Sequence, residues 1–456
     1  MVRVSSPPIP DFTLVNTVKP YEFQISVSYN YSMSFTISII LIAVSVLLVT
    51  GPWPWTAEVR YGGHDWVKGQ TQNTIHINTE SYSRRNVYIA AADAEELEAW
   101  LYLPKPTAHL MHYEDAESSH IFSDCRCIIM AHGLGGQRDM GLHLYADRFA
   151  SEGYHVLVFD YRSFGGSTGE PRHWVSPKRH VEDWAAVIQA LQPTGQGLRS
   201  KPSHPAHMME MPETTCDASN NQSSNSTSSS CSDSDFKTTA TNDVSGFRCS
   251  SLALWGTSMS GGHVLVAAAA HQNHSISAVI SQIPLLSGRA ASRAALATRG
   301  VVGTLKTAVL AVHDVARSLL GLSPVYIRIV GKTDELALMQ LPVEELDKYF
   351  SKHPAVKQGG WRPWALARLG LEMPWYNPVN HLQDIHAPVL FVAAEQDRLC
   401  SPALIKAAAS DCGMMKCELA MIPLAQDHFS MYSGQAFEQA TTSMLSFLKR
   451  HLNHPS

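Results

Sequence analysis

The chain has 456 residues, 45% of them hydrophobic and 16% charged, with a formal net charge of −5. That length holds one large α/β domain with insertions, or two domains, and the composition is that of a globular protein. A pI near 6.5 without a basic excess gives no electrostatic reason to expect nucleic acid as a partner.

The N-terminal segment, 1–60, differs in kind from the rest. No charged side chain occurs between Glu22 and Glu58, and Phe35 to Val49 is almost wholly aliphatic. With its flanks the run reaches roughly 18 residues, the lower limit for crossing a bilayer core. A signal-anchor helix over about 33–50 is expected, with Trp53 and Trp55 at the interface and an otherwise cytoplasmic protein attached to the membrane. A cleaved signal peptide fits less well, because the preceding region is long and barely basic and no A-x-A site follows. A helix buried against the domain and a misplaced start codon remain alternatives. Orientation is open, since Lys19 faces Arg60 and Lys68.

From Asn86 onward short apolar or alternating runs take over. Val87–Ile89 and Leu97–Leu103 read as edge strands, and Cys127–Ala131 and His155–Phe159 as buried parallel strands. Helical patterns cover Leu142 to Glu152 and Val181 to Leu191, and strand alternating with helix predicts a mostly parallel sheet. Residues 195–244 are rich in Ser, Thr and Asn, and such a tract buries too little apolar surface to offset chain entropy. It is expected to be a disordered insertion; the sequons at Asn221 and Asn225 matter only in a secretory lumen.

Leu252 to Thr257 is a strand that breaks at Ser258 directly into a helix, followed by the strand Ala278–Gln282. Residues 284–381 are mainly helical by pattern, including Val309 to Leu320 and Val343 to Phe350, with no convincing parallel strand. A helical insertion of this size between core strands is expected to cap the strand ends. The sheet resumes with Val389–Ala394, the helix Ala403–Ser410, a strand near Leu419–Ile422 and an amphipathic helix from Ala436 to Leu452. The core is thus 70–283 with 382–456.

Four strand ends carry chemistry. Gly256-Thr257-Ser258-Met259-Ser260 is one step from G-x-S-x-G and presents the Ser258 hydroxyl on a strained turn beside a helix N-terminus. His132-Gly133-Leu134-Gly135-Gly136 can turn backbone N–H groups toward an anion; Leu134 and Met259 are the expected oxyanion-hole donors. Its glycine spacing is wrong for a dinucleotide site. Asp397 follows the Val389–Ala394 strand as the expected orienting acid, with Glu395 in reserve, and His428 follows the last strand as the expected base. The order Ser258, Asp397, His428 is that of a strand-end triad. The glycine-rich turn from Asp160 to Ser167 is expected to be structural, braced by Asp160 and Arg162.

The eight cysteines show no CxxC spacing and are too sparse for a disulfide scaffold, so most are expected to be buried or free thiols. The 22 histidines show no HExxH spacing, and neither a metal nor a cofactor is expected.

HGLGG, FDYRSFGGSTGEPR, LWGTSMSGGHV, PVLFVAAEQD and HFSMY together resemble the α/β-hydrolase superfamily over roughly Asn86 to Leu452, the insertion excepted. The chain is similar to microbial hydrolases of the serine aminopeptidase, X-prolyl peptidase and cocaine-esterase-like group, in which G-x-S-x-S-G-G variants occur. That resemblance implies an α/β-hydrolase fold with a helical cap. It also implies a serine hydrolase cleaving a carboxylic ester or related acyl bond, and the apolar composition of the expected cap helices favours a small, hydrophobic substrate. Peptidase, thioesterase or acyltransferase chemistry on the same triad is the alternative, and a non-catalytic membrane-anchored scaffold the remoter one. Oligomeric state is not legible.

Overall fold

The computed structural model describes residues 59–61, 77–105, 125–200, 244–271, 276–332, 335–342, 361–412 and 416–452. All of them belong to one compact unit, Pro52–Ser456. The expected anchor at 33–50, residues 201–243 of the insertion and the helix expected over Val343–Phe350 lie outside the described residues.

In chain order the elements are β1 (Val59–Tyr61), β2 (Ile77–Asn78), β3 (Tyr82–Ala90), β4 (Glu96–Pro104), β5 (Arg126–Ala131), α1 (Leu142–Ser151), β6 (His155–Phe159), α2 (Pro177–Leu191), β7 (Ser251–Thr257), α3 (Met259–Ala270) and β8 (Ile276–Gln282). There follow α4 (Gly288–Leu319), β9 (Val325–Gly331), β10 (Ala337–Gln340), β11 (Trp364–Leu366), α5 (Leu369–Glu372), β12 (Val389–Ala394), α6 (Pro402–Cys412), β13 (Cys417–Ile422) and α7 (Gly434–His451).

The main sheet runs β13-β12-β8-β7-β5-β6-β4-β3-β2. It is parallel from β13 to β6 and antiparallel from β6 through β4 and β3 to β2. The uninterrupted apolar runs are explained by burial on both faces. Side chains alternate across the sheet, so Ile128 and Met130 of β5 pack with Tyr145 and Phe149 of α1 and Met444 and Leu448 of α7. Cys127, Ile129 and Ala131 point the other way, into the cluster holding Trp184 and Ile188 of α2 and Val264 and Leu265 of α3. Each large side chain taken from water in this way contributes about 1.5–3 kcal/mol. Because β5 lies between β6 and β7, the chain leaves β5 in one direction and returns on the other side. Loops after parallel strands open a crevice at such a reversal.

The segment 284–381 differs from its helical reading. Besides α4 it contributes three strands to a second sheet centred on β9, which pairs in parallel with β10 and antiparallel with β11 and with the distant β1. Two of the partners of β9, β1 and β11, are three residues long and distant in sequence, so no local periodicity announces the sheet. Leu310 of α4 packs on Val325 and Ile327. Asp314, buried, receives both Arg368 Nε (2.6 Å) and Arg368 Nη2 (3.1 Å), which fixes the helix to that sheet.

The cysteine expectation is also corrected. Cys127 is bonded to Cys249 and Cys412 to Cys417, while Cys125 and Cys400 are buried and outside these two bonds. Cys127 is the second residue of β5 and Cys249 precedes β7. Pairing of these two strands brings Cα atoms separated by 122 residues to 5.8 Å, a proximity no spacing rule can see.

Candidate active site

Thr257 ends β7 and Met259 opens α3, so Ser258 alone makes the turn, at φ 57° and ψ −120°. A non-glycine residue held there is strained, and the surroundings over-determine it. Ser258 N–H donates to Gln282 O (2.9 Å), and Ser258 O accepts from Leu285 N–H (2.9 Å). Gly256 is required two residues earlier, because a β-carbon there would stand 2.1 Å from Ser260 O. Ser260, where the pentapeptide has its second glycine, is fully buried and its Oγ lies 2.7 Å from Tyr161 OH. Trp184 Nε1 donates to the same phenol at 2.9 Å.

His428 stands at the start of a single 3₁₀ turn, His428–Tyr432, whose N-terminus is capped by Asp427 accepting from Ser430 N–H (2.6 Å). Its Nε2 lies 3.1 Å from Ser258 Oγ and its Nδ1 lies 2.7 Å from Asp397 Oδ2. Asp397 Oδ1 accepts the N–H groups of Leu399 (2.8 Å) and Cys400 (2.9 Å), which orients the carboxylate. Glu395, the reserve acid, is exposed. Two residues of loop separate an acid aimed at the imidazole from one aimed at solvent.

Ala131 at the end of β5 is in register with Gly256 of β7, so the His132–Gly136 loop runs beside the elbow. A β-carbon at Gly133 would come within 2.9 Å of Ser258 Cβ. Leu134 is therefore carried close to Ser258, and Met259 N–H belongs to the first turn of α3, which has no intrahelical acceptor. His132 Nδ1 lies 3.0 Å from Gly133 O.

Ser258 and His428 open onto a cleft of about 530 Å³, its mouth included, with Leu134, Met140, Ile329, Met339, Trp361 and Phe429 among its walls. Most of these are apolar, and none of the described residues lining it is a carboxylate. Trp361 Nε1 donates to Gly135 O at 2.7 Å, tying the segment 284–381 to the loop beside Ser258.

Several participants were not singled out from sequence. Cys400 lies beside Asp397 and His428: ligand atoms of the three fall within 4.8 Å of one another. Such a trio could hold a soft cation, but both ring nitrogens of His428 are already engaged, and burial beside Asp397 pushes the thiol well above its usual range. Behind the elbow, His180 Nδ1 lies 3.2 Å from His263 Nε2, and His263 Nδ1 lies 2.5 Å from Tyr376 OH. Burial holds both imidazoles low, His263 to about 3. The Asp160 turn is braced by Asp160, which pairs with Arg138 (2.7 Å) and accepts Gly166 N–H (3.3 Å), and by Arg162, which pairs with Asp183 (2.5 Å).

Residues 123–202 match the family described as serine aminopeptidase, S33. The fold is shared with the α/β hydrolase GrgF from Penicillium sp. sh18 (TM-score 0.54, 20% identity, covering 81% of this chain and 99% of that one). It is also shared with a hypothetical protein from Pseudomonas aeruginosa (TM-score 0.56, 16% identity, covering 86% and 99%). In sequence, the chain is 31% identical over 324 residues to the quorum-quenching protein AidA of Acinetobacter baumannii, 71% of this chain and 86% of that protein. The chain belongs to the α/β-hydrolase superfamily. It is a hydrolase, and in this α/β hydrolase Ser258, Asp397 and His428 sit at the same end of the sheet, after β7, β12 and β13.

Proposed function

We propose that this hydrolase is a serine esterase acting on a small, apolar carboxylic ester through an acyl-enzyme. The observation that carries the reading is the hydrogen-bonded line from Asp397 through His428 to Ser258. His428 Nε2 takes the proton of Ser258 as Oγ attacks the ester carbonyl, while Asp397 holds the tautomer with Nδ1–H directed at it and stabilises the imidazolium. The N–H groups of Leu134 and Met259 receive the developing oxyanion, an interaction worth roughly 3 kcal/mol per donor at comparable sites. His428 then returns the proton to the departing alkoxide, and water, activated by the same imidazole, releases the acid.

The apolar walls favour a hydrophobic acyl or alkyl group, and the lack of a lining carboxylate among the described residues disfavours recognition of a peptide amino terminus. Within this reading, 284–381 is the cap, 195–244 an insertion and 70–283 with 382–456 the core. The uncharged run at 33–50 is proposed to anchor the protein to a membrane. Labelling with a fluorophosphonate tests the esterase assignment: a single adduct at Ser258 supports it, and an unreactive folded protein refutes it.

A further inference from the structure

The polar side chains among the described walls of the cleft are engaged, with one exception. His428 is bonded to Ser258 and Asp397, and Tyr432 OH lies 2.6 Å from Thr257 Oγ1. His132 Nδ1 lies 3.0 Å from Gly133 O, and its Nε2 faces Asp160 Oδ1 at 3.8 Å. Gln137 differs. It lines the cleft, its side chain is fully buried, and its Oε1 has no hydrogen-bond partner. A buried amide oxygen without a donor is costly, and such groups in folded proteins are as a rule paired.

The orientation of this amide follows from its neighbour. Gln137 Nε2 lies 3.4 Å from Asp139 Oδ1. Burial, with the charge of Asp160 nearby, raises the Asp139 carboxyl to about 6, so that at pH 8 it is ionised and only accepts. Turning the amide over would set its oxygen against that carboxylate. The amino end therefore faces Asp139, which is not among the described residues lining the cleft, and Oε1 lies on the other side of the planar group.

The backbone on either side is pinned. Arg138 N–H donates to Asp160 Oδ1 (2.7 Å), and its guanidinium to Glu98 O (2.9 Å), Glu98 Oε1 (2.7 Å) and Asp160 Oδ2 (2.7 Å). Met140 N–H donates to Gln137 O (3.0 Å), and Gly136 N–H to Gly133 O (3.3 Å). The acceptor is thus fixed on the same loop that brings Leu134 beside Ser258, and little ordering is left for a ligand to impose. In an apolar pocket the few placed polar groups set specificity. Charge narrows the choice of donor. An ammonium would enter a cleft with no lining carboxylate among the described residues, and its desolvation would go uncompensated.

We infer that Gln137 Oε1 selects esters that carry a neutral hydrogen-bond donor, a hydroxyl or an amide N–H, on an otherwise apolar body. A substrate with the donor pairs this oxygen, whereas an all-apolar analogue of the same shape covers it and leaves it unpaired, so the site discriminates against the analogue. The reaction in this inference rests on the esterase reading. The binding preference rests on the cleft alone.

The test compares matched esters on the full chain at about pH 8. Ethyl hexanoate is set against ethyl hexanoates hydroxylated at successive carbons of the acyl chain, and propyl hexanoate against hydroxyethyl hexanoate. Acetamido-substituted hexanoates are set against their N-methyl counterparts, which lack the donor. At least one donor-bearing ester is expected to exceed its control about tenfold in kcat/KM. The arm that shows the preference tells hydroxyl from amide. Gln137→Leu, of similar size but without the acceptor, is expected to bring that ratio to about one; Gln137→Met replaces it if the leucine variant does not fold. Equal turnover within every pair overturns the proposal, as does a preference that these variants keep in full. The same pairs are titrated into Ser258→Ala protein by calorimetry. A chain that hydrolyses no ester yet binds the donor-bearing member about tenfold tighter upholds the selection and refutes the esterase. Equal binding without turnover refutes both.

Discussion

The hydroxyl of Ser260 and the phenol of Tyr161 lie 2.7 Å apart, both buried, one residue into the helix from the elbow. Trp184 Nε1–H occupies an acceptor position on the phenol, which leaves the Tyr161 proton to be donated to Ser260 Oγ. Ser260→Ala is expected to leave that donor unsatisfied and to cost about 1–3 kcal/mol in urea unfolding. Tyr161→Phe in the same background should recover part of the loss, because the unsatisfied group is then removed. Strictly additive losses would show that the two hydroxyls do not interact.

Ser258→Ala and His428→Ala are expected to lower kcat for p-nitrophenyl esters by at least about 10⁴-fold with circular dichroism unchanged. Asp397→Asn should cost about 10⁴-fold as well, since an amide can present N–H toward Nδ1 and favour the wrong tautomer. Glu395→Gln, exposed and pointing away, should leave kcat within a factor of two or so. Undiminished turnover by Ser258→Ala would remove the nucleophile from the mechanism.

Ile329 and Met339 bring the segment 284–381 to the wall of the cleft, and their truncation to alanine enlarges it. Selectivity should move toward longer acyl chains, by about fourfold in kcat/KM per additional buried methylene. A panel of esters from acetate to octanoate reads this directly. A uniform loss across the panel would mean that these side chains support the fold rather than the substrate.

Acid sensitivity follows from the buried imidazoles. Burial lowers His263 and His173 to about 3 and lowers His180, so all three are neutral in the folded protein at pH 7. Once unfolded they protonate near the ordinary histidine value of about 6.5. Between those values the unfolded chain binds the extra protons. Stability is therefore full above about pH 6.5 and falls as the pH drops toward 3, by about 1.4 kcal/mol per pH unit for each such histidine. Urea midpoints measured from pH 8 to 5 should be flat and then decline. His263→Gln should shallow the decline, and an unchanged slope would show that this ring is not among the groups responsible.

The sequence by itself determined the core strands, the strand ends that carry Ser258, Asp397 and His428, and the helix after Ser258. Each of these is announced by a contiguous stretch: an apolar run buried on both faces, then a turn of small or polar residues. It preferred Asp397 and held Glu395, two residues away in the same loop, in reserve; which carboxylate meets a histidine from another strand is a matter of tertiary structure. Ser260 looked like an imperfect glycine until Tyr161, 99 residues away in sequence, gave its hydroxyl a partner. The Cys127–Cys249 bond and the sheet built from β1, β9, β10 and β11 were decided by tertiary structure alone. Pairing, proximity and exposure are properties of residues brought together by packing, and no local pattern in the chain encodes them.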